Sequence, residues 1–382
     1  MNTCTFCDFT NILSNFCIAG FACEIVPYGS GHINHTFYIK NGDVSAPDYL
    51  LQRINHHIFK DVPALIENIK IVSSHLREKL TPVYGVEMDQ RVLTLIETKD
   101  QQYYYQDEHG SFWRVFVYLK DTNSYDLIET EHQAFQGGSA FGKFQSLLSD
   151  LDPGLLTDTI PDFYNLENRL FNYKNALNKD LNGRAEECLE EILYINEHVS
   201  MMSTTFRLGK NILPLRITHN DTKFNNILFD QNDIVQCVID LDTVMPGYVA
   251  YDFGDAMRTI ANTAAEDEKD LSKITVNILL FEAYAKGYLK ETISFLTAAE
   301  ISSLMDWVLI VTYMQAVRFL TDYLEGDKYY KIHFPEHNIQ RTRAQIKLLK
   351  KMVDSYDTLN SIVQNAVLIY KKPDVSFSDK NH

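Results

Sequence analysis

Residues 219–226 read His-Asn-Asp-Thr-Lys-Phe-Asn-Asn, and the strand-like stretch Val238-Ile-Asp-Leu-Asp242 follows shortly after. No other segment constrains the chain as strongly. One loop carries a carboxylate (Asp221), an ammonium (Lys223) and an amide (Asn226) at fixed offsets, and a strand then ends on a second carboxylate, Asp240. Such a loop brings one carboxylate to a hydroxyl and one amide oxygen to Mg²⁺. The strand delivers a second hard oxygen ligand to the same ion.

At 382 residues the chain is long for a single compact core and suits two lobes. A 45% apolar and 23% charged composition is that of an ordinary folded protein. The formal net charge of −16 argues against nucleic acid and anionic membrane surfaces as partners. It does not exclude a phosphorylated nucleotide held by Mg²⁺ and a few local cations. Residues 1–9 include Asp8 and no basic segment ahead of an apolar run, so a secretory leader is not expected. The longest apolar stretch, near 307–317, is too short to cross a bilayer and contains Thr312 and Gln315. A soluble, cytoplasmic protein is expected, either a monomer or a weak homodimer. Of six cysteines, Cys4, Cys7, Cys17 and Cys23 crowd the N-terminus. Cys4 and Cys7 have zinc-ligand spacing, but a second such pair is missing, which favours buried thiols in a reducing compartment.

The first third reads as strands around residues 24–28, 35–40, 48–54, 92–98 and 113–119, with a glycine turn at Gly29-Ser30-Gly31. Leu65, Ile69, Val72 and Leu76 recur at helical spacing and predict a helix over 62–79. Beyond about residue 121 the pattern turns helical, over 134–151, 166–176, 184–202, 276–290, 298–323 and 339–367. Strands there are expected only at 227–229 and 235–239. A β-rich front and a helical back give an α+β fold in two lobes, 1–120 and 121–382.

His219, Asp221, Lys223 and Asn226 occupy every position of the H-x-D-x-K-x-x-N template of kinase catalytic loops. With the two-lobed layout and the glycine turn, the chain resembles the aminoglycoside phosphotransferase and choline kinase-like family over roughly residues 20–350. These are small-molecule kinases with a protein-kinase-like fold. Within the family the resemblance is narrowest to N-acetylhexosamine 1-kinases. Its carriers are Pro27-Tyr-Gly-Ser-Gly-His-Ile-Asn34, Leu51-Gln-Arg-Ile-Asn-His-His57, the 219–226 loop and Arg318-Phe-Leu-Thr-Asp-Tyr-Leu324.

Asp221 is the candidate base that accepts or orients the acceptor's hydroxyl proton. Asn226 and Asp240 are the candidate Mg²⁺ ligands; Asn225 competes with Asn226, but the spacing favours Asn226. Lys223 suits neutralisation of the transferring phosphoryl group. His219 is expected to be structural, bonding backbone behind the metal loop. Gly29, Ser30 and Gly31 suit a nucleotide lid, since glycines let backbone N–H groups approach phosphates. Kinases carry a lysine on the third strand, whereas this chain offers Gln52 or Arg53, with Glu67 a possible partner for Arg53. Asp242 has three open roles: metal, sugar hydroxyl or solvent. The resemblance implies that Asp252 braces the catalytic loop from a helix start, and that Arg318 and one tyrosine, Tyr329 or Tyr330, touch a sugar. An ion pair of Arg318 with Asp322 or Asp327 is the alternative. Together these imply an ATP- and Mg²⁺-dependent kinase acting on the anomeric hydroxyl of N-acetylglucosamine or N-acetylgalactosamine. Kinases of an amino alcohol, homoserine or an aminoglycoside are the nearest alternative, and a silent nucleotide-binding protein is a further one.

Overall fold

Alternating β-branched, aromatic and polar residues build the sheet of the front part, whose two faces are then covered by different helices. The computed structural model describes residues 6–29 and 33–371. Helix α1 (Phe6–Leu13) precedes strands β1 (Ala22–Pro27), β2 (His35–Asn41) and β3 (Tyr49–Ile54). Helix α2 (Val62–Tyr84) follows, then β4 (Tyr105–Gln106) and β5 (Phe112–Val117). The sheet is antiparallel, in the order β1-β2-β3-β5-β4. Because side chains alternate, Tyr49, Leu51, Trp113 and Val115 share one face and bury against α1. Ile54 and Phe116, on the other face, join Leu65, Ile69 and Val72 of α2. Asp61 caps α2 by accepting from the N–H of Ala64 at 3.0 Å.

The helical part comprises α3 (Glu131–Leu147), α4 (Leu166–Lys179), α5 (Leu189–Ile212), β6 (Arg216–Thr218), β7 (Ile227–Phe229), β8 (Val235–Val238), β9 (Met245–Gly247), α6 (Val249–Ile260), α7 (Ile278–Thr292), α8 (Ala298–Glu325), α9 (His337–Asp354) and α10 (Tyr356–Tyr370). At its centre runs α8, whose Trp307, Val308, Val311, Val317 and Leu320 are almost wholly buried. Each such side chain contributes about 1.5–3 kcal/mol of transfer free energy. A Thr297–Glu300 capping box starts this helix and Gly326, in the left-handed region, ends it. Among the described residues α8 is the one helix long and apolar enough to cross a membrane; 72% of its most apolar window is buried inside the protein. Helices α3 and α7 approach so closely that a Cβ on Gly287 would overlap the Phe135 carbonyl.

Several sequence expectations need correction. Residues 92–98 form no regular strand. They lie extended beside β5 through the N–H of Ile96 on the Val115 carbonyl and that of Val117 on the Thr94 carbonyl, before a turn from Thr98 to Gln101. The helix expected over 339–367 breaks into α9 and α10 at Ser355, where short polar side chains weaken helix propensity. Cys17 and Cys23 are exposed, contrary to the expectation of buried N-terminal thiols. Cys4, the other half of the Cys4–Cys7 spacing, lies outside the described residues.

Candidate active site

Two short antiparallel ladders set the site. β6 pairs with β9 and β7 with β8, so the 219–226 loop and the 239–244 segment run side by side. The Ile239 N–H donates to the Asn226 carbonyl at 2.9 Å and locks the two together. Asn220 and Asp240 both take left-handed backbone (φ 65° and 59°), which Asn and Asp tolerate better than most residues. Gly137 of α3 leaves room for the Phe224 ring, which a Cβ there would overlap.

The loop is held from behind by the start of α6. Asp252 accepts from the N–H groups of His219 (2.8 Å) and Asn220 (2.7 Å) and from the Gln145 amide (2.7 Å). Burial pushes its carboxyl up to about 7, although both oxygens are aimed at N–H donors that favour the anion. Thr222 adds its hydroxyl to the Asp252 carbonyl (2.8 Å) and its N–H to Asp255 (3.2 Å). His219 is fully buried, with the edges of Phe141 and Phe144 packed against it. Its Nδ1 receives the Asp221 N–H, so Nε2 carries the hydrogen donated to the Ile239 carbonyl at 2.9 Å. Burial lowers its pKa and keeps the ring neutral.

Asp221 keeps a quarter of its side chain exposed (26%). Enclosure pushes its carboxyl up. Lys223, 2.9 Å away, and the Asn226 amide more than offset this and hold it below the usual carboxylate range. Asn226 donates to the Asp221 carbonyl (2.8 Å) and carboxylate (3.1 Å), which fixes its amide and leaves its own oxygen as an acceptor. Asn225 turns away to Asp126. Burial, Asp242 and Asp221 all raise the pKa of Asp240, so this corner holds more negative charge than its protein neighbours satisfy. That donor set, one free amide oxygen beside crowded carboxylates, fits a hard divalent cation such as Mg²⁺. Among the described residues no cluster of three or more His, Cys, Asp or Glu side chains forms an all-protein metal cage.

Two sequence assignments are overturned here. Asp242 is neither solvated nor open to an acceptor. It is 2% exposed, takes Arg114 through both oxygens (2.5 and 2.9 Å) and also takes the Asn34 amide (2.6 Å). It thus ties the 239–244 segment to the sheet. Arg53 is exposed and shares its face of the sheet with Leu51 of β3 and Trp113 of β5, opposite to the face of Gln52 and Arg114. Gln52, on the cleft face, donates to Thr36 (2.9 Å) and accepts from Arg114 Nε (2.9 Å). Glu67 pairs with Lys70 on an exposed helix face, not with Arg53. Gly29 sits in the left-handed region after β1; Ser30 and Gly31 lie outside the described residues. Sequence reading missed Arg114, although a charge in the middle of Phe-Trp-Arg-Val-Phe-Val was the signal for it.

A second group of side chains lies beside the loop. The Tyr164 hydroxyl donates to the Asn220 carbonyl (3.3 Å), and the neighbouring Phe163 ring lies under the Arg318 guanidinium at 5.2 Å. Tyr330 faces Arg318 at 5.5 Å, and half-exposed Tyr329 packs edge-on against Tyr330. Arg318 donates to Gln315 (3.0 Å) and, among the described residues, makes no ion pair. The alternative partners are taken: Asp322 caps the N–H groups of Lys328, Tyr329 and Tyr330, and Asp327 pairs with Arg184. A cavity of about 190 Å³ beside the loop is lined by Lys223, Asn225, Arg258 and Glu266. Another, of about 350 Å³, opens behind α3 between Tyr84, Phe144, Cys237 and Lys290, and no residue of the loop lines it.

A family model described as "Phosphotransferase enzyme family" matches residues 24–290. Among solved structures, the fold is similar to that of an aminoglycoside phosphotransferase from Alicyclobacillus acidocaldarius, with 12% identity, a TM-score of 0.61, and 93% of this chain and 96% of that one covered. Spectinomycin phosphotransferase, solved with ADP and spectinomycin, gives 11% identity and a TM-score of 0.54 over 96% of this chain and 99% of that one. A choline kinase from Cryptosporidium parvum gives 15% and 0.50 over 90% and 93%. These likenesses establish a kinase-like α+β fold.

Proposed function

The chain belongs to the phosphotransferase enzyme family, and from that premise we propose that it is an ATP- and Mg²⁺-dependent kinase converting N-acetylglucosamine or N-acetylgalactosamine to the sugar 1-phosphate. At the coarser level it is a small-molecule phosphotransferase with a hydroxyl acceptor. The ADP-bound spectinomycin enzyme of the same fold supports ATP as the donor.

The observation that carries the acceptor assignment is the setting of Arg318. A cationic acceptor, whether choline, ethanolamine or an aminoglycoside, calls for uncommitted carboxylates at this end of the cleft. Here a guanidinium stands between two aromatic rings, and Asp322 and Asp327 are bound to other donors. Aromatic faces and a multidentate donor suit a neutral ring bearing hydroxyls and an acyl carbonyl.

In this reading Asp221 orients the anomeric hydroxyl and takes its proton while that oxygen bonds to the γ-phosphorus. The bond to the β,γ-bridging oxygen breaks, and ADP leaves. Lys223 offsets charge on the transferring group. Asn226 and Asp240 would hold Mg²⁺, which supplies charge neutralisation for the nucleotide phosphates. Gly29 with its neighbours, and Gln52 on the cleft face, belong to the nucleotide side. No covalent enzyme intermediate is needed, since catalysis is positioning plus electrostatics. The test is ADP release from Mg·ATP over a panel of sugars and amino alcohols, with phosphorus NMR of the product. An anomeric phosphate on an N-acetylhexosamine is the expected result. Preference for an amino alcohol or aminoglycoside, or no turnover with any alcohol, refutes the assignment.

A further inference from the structure

Arg318 has a like-charged neighbour that the reading above does not use. Arg169, near the start of α4, donates through one terminal nitrogen to the Phe163 carbonyl at 2.9 Å, and its buried Nε has no partner. The two guanidinium groups therefore both engage Phe163, one at its backbone and one over its ring. Burial and then the charge of Arg318 lower the Arg169 pKa to about 10. Neither arginine has an ion pair within 4 Å among the described residues. Of the surrounding carboxylates, Asp255 and Glu266 both hold Arg258, and exposed Asp162, which accepts from Asn165 (2.7 Å), favours the Arg169 cation only from beyond ion-pair distance. Two cations brought together over an aromatic floor, with an unused buried donor, repel each other unless something rich in acceptors sits between them.

We propose that Arg169 and Arg318 together form a charge filter at the acceptor subsite, admitting an amino sugar whose nitrogen is acylated and refusing one whose nitrogen is a protonated amine. This rests on the sugar-kinase reading and sharpens its substrate class. The acyl carbonyl and ring hydroxyls accept from the two guanidinium groups. An ammonium in the same place faces two positive charges. Arg169 is a specificity residue here and takes no part in the proton or phosphoryl transfer.

The experiment compares kcat/KM for N-acetylglucosamine and glucosamine, in the wild type and in Arg169→Met and Arg169→Lys, between pH 6.5 and 9. The wild type should prefer the N-acetyl sugar, and Arg169→Met should narrow that preference roughly tenfold, mainly through a lower KM for the amine. Arg169→Lys keeps the charge and should keep the preference. In the wild type, the ratio of amine to N-acetyl activity should climb as the sugar's amine deprotonates at about pH 8. That climb should flatten in Arg169→Met. Taking the ratio cancels titration common to both substrates, including Asp162, Glu266, Arg258, Tyr164, Tyr329 and Tyr330 around the pair. If Arg169→Met fails to fold, the wild-type pH series alone decides. Equal use of both sugars, or a ratio flat with pH, overturns the filter and leaves the kinase reading intact. Turnover of neither sugar alongside turnover of another alcohol overturns both.

Discussion

Asp242 and Asp252 are buried carboxylates at opposite ends of one short segment, and they anchor the site by different physics. Asp252 gathers neutral N–H donors, two from the backbone of the loop it supports and one from the Gln145 side chain of α3. Asp242 reaches across to the sheet and forms an ion pair with Arg114, supported by Asn34. The first anchor is local and leaves its charge balanced only by dipoles, so burial drives its pKa up. The second joins distant parts of the chain, and neither member of its ion pair tolerates losing the other. One device sets the shape of the loop, and the other sets where the 239–244 segment beside it stands relative to the sheet.

The comparison breaks most sharply at the residue both anchors serve. Asp221→Asn should lower kcat by roughly 10²–10⁴-fold while leaving Mg·ATP affinity and unfolding unchanged. Single-turnover kinetics with nucleotide-binding titration check this, and near-normal kcat removes Asp221 from the base role. Next comes Arg114→Met, which leaves Asp242 buried without its cation. It should cost about 3–5 kcal/mol in denaturant unfolding. Adding Asp242→Leu should recover much of that loss in stability, though not the nucleotide KM.

Asp252→Asn should be milder in stability, about 2 kcal/mol, since it turns one accepting oxygen into a donor facing a donor. Its pH signature is the sharper test. The folded carboxyl titrates near 7 against an ordinary 3.8. Between those values the folded chain therefore holds the extra proton. This group's contribution to stability is greatest on the acid side and is lost as pH rises through about 7. The loop geometry needs the anion, so activity moves the other way. From pH 8 to 6, kcat should fall in the wild type without a matching fall in Tm, and the Asn variant should lose the part of that fall due to Asp252, leaving only the part that Asp240, also raised, contributes. A parallel fall of kcat and Tm would mean that Asp252 acts as an ordinary ion-paired carboxylate.

The two regions also differ in how far they can be read from sequence. Asp221, Lys223, Asn226 and Asp240 fall within one contiguous stretch, and fixed spacing carries their chemistry. The first three strands were legible from their β-branched and aromatic composition and the glycine turn between the first two, and α2 from the helical spacing of Leu65, Ile69, Val72 and Leu76. β6 and β9 were not. Each has three residues, too few to show a period, and β9 reads Met-Pro-Gly, a composition that normally ends a strand. Of the group around Arg318, the family resemblance picked out Arg318, Tyr329 and Tyr330 but not Phe163 or Arg169. Phe163, Arg169 and Tyr330 come from segments over a hundred residues apart in places, and only tertiary packing gathers them. Asp242 was left open for the same reason: its partners are Arg114 in β5 and Asn34 just before β2, both over a hundred residues away.

The smallest expected effect comes from the strand position that sequence left undecided. Gln52 and Arg53 are neighbours, so the pleat sends them to opposite faces of β3. Gln52 stands opposite Thr36 and Arg114 on the cleft face; Arg53 stands opposite His35 and Trp113 on the face that α1 partly covers. Arg53→Ala should therefore leave the ATP KM within about twofold and stability within about 0.5 kcal/mol, as for other exposed positions. Gln52→Ala removes the acceptor for Arg114 Nε and the donor to Thr36, so it should raise the ATP KM through the Arg114–Asp242 anchor. Steady-state kinetics of the two alanine variants side by side decides the matter. A tenfold rise in nucleotide KM for Arg53→Ala would place the guanidinium in the cleft, and the interlobe anchor would then no longer be the reason this strand carries glutamine where kinases carry lysine.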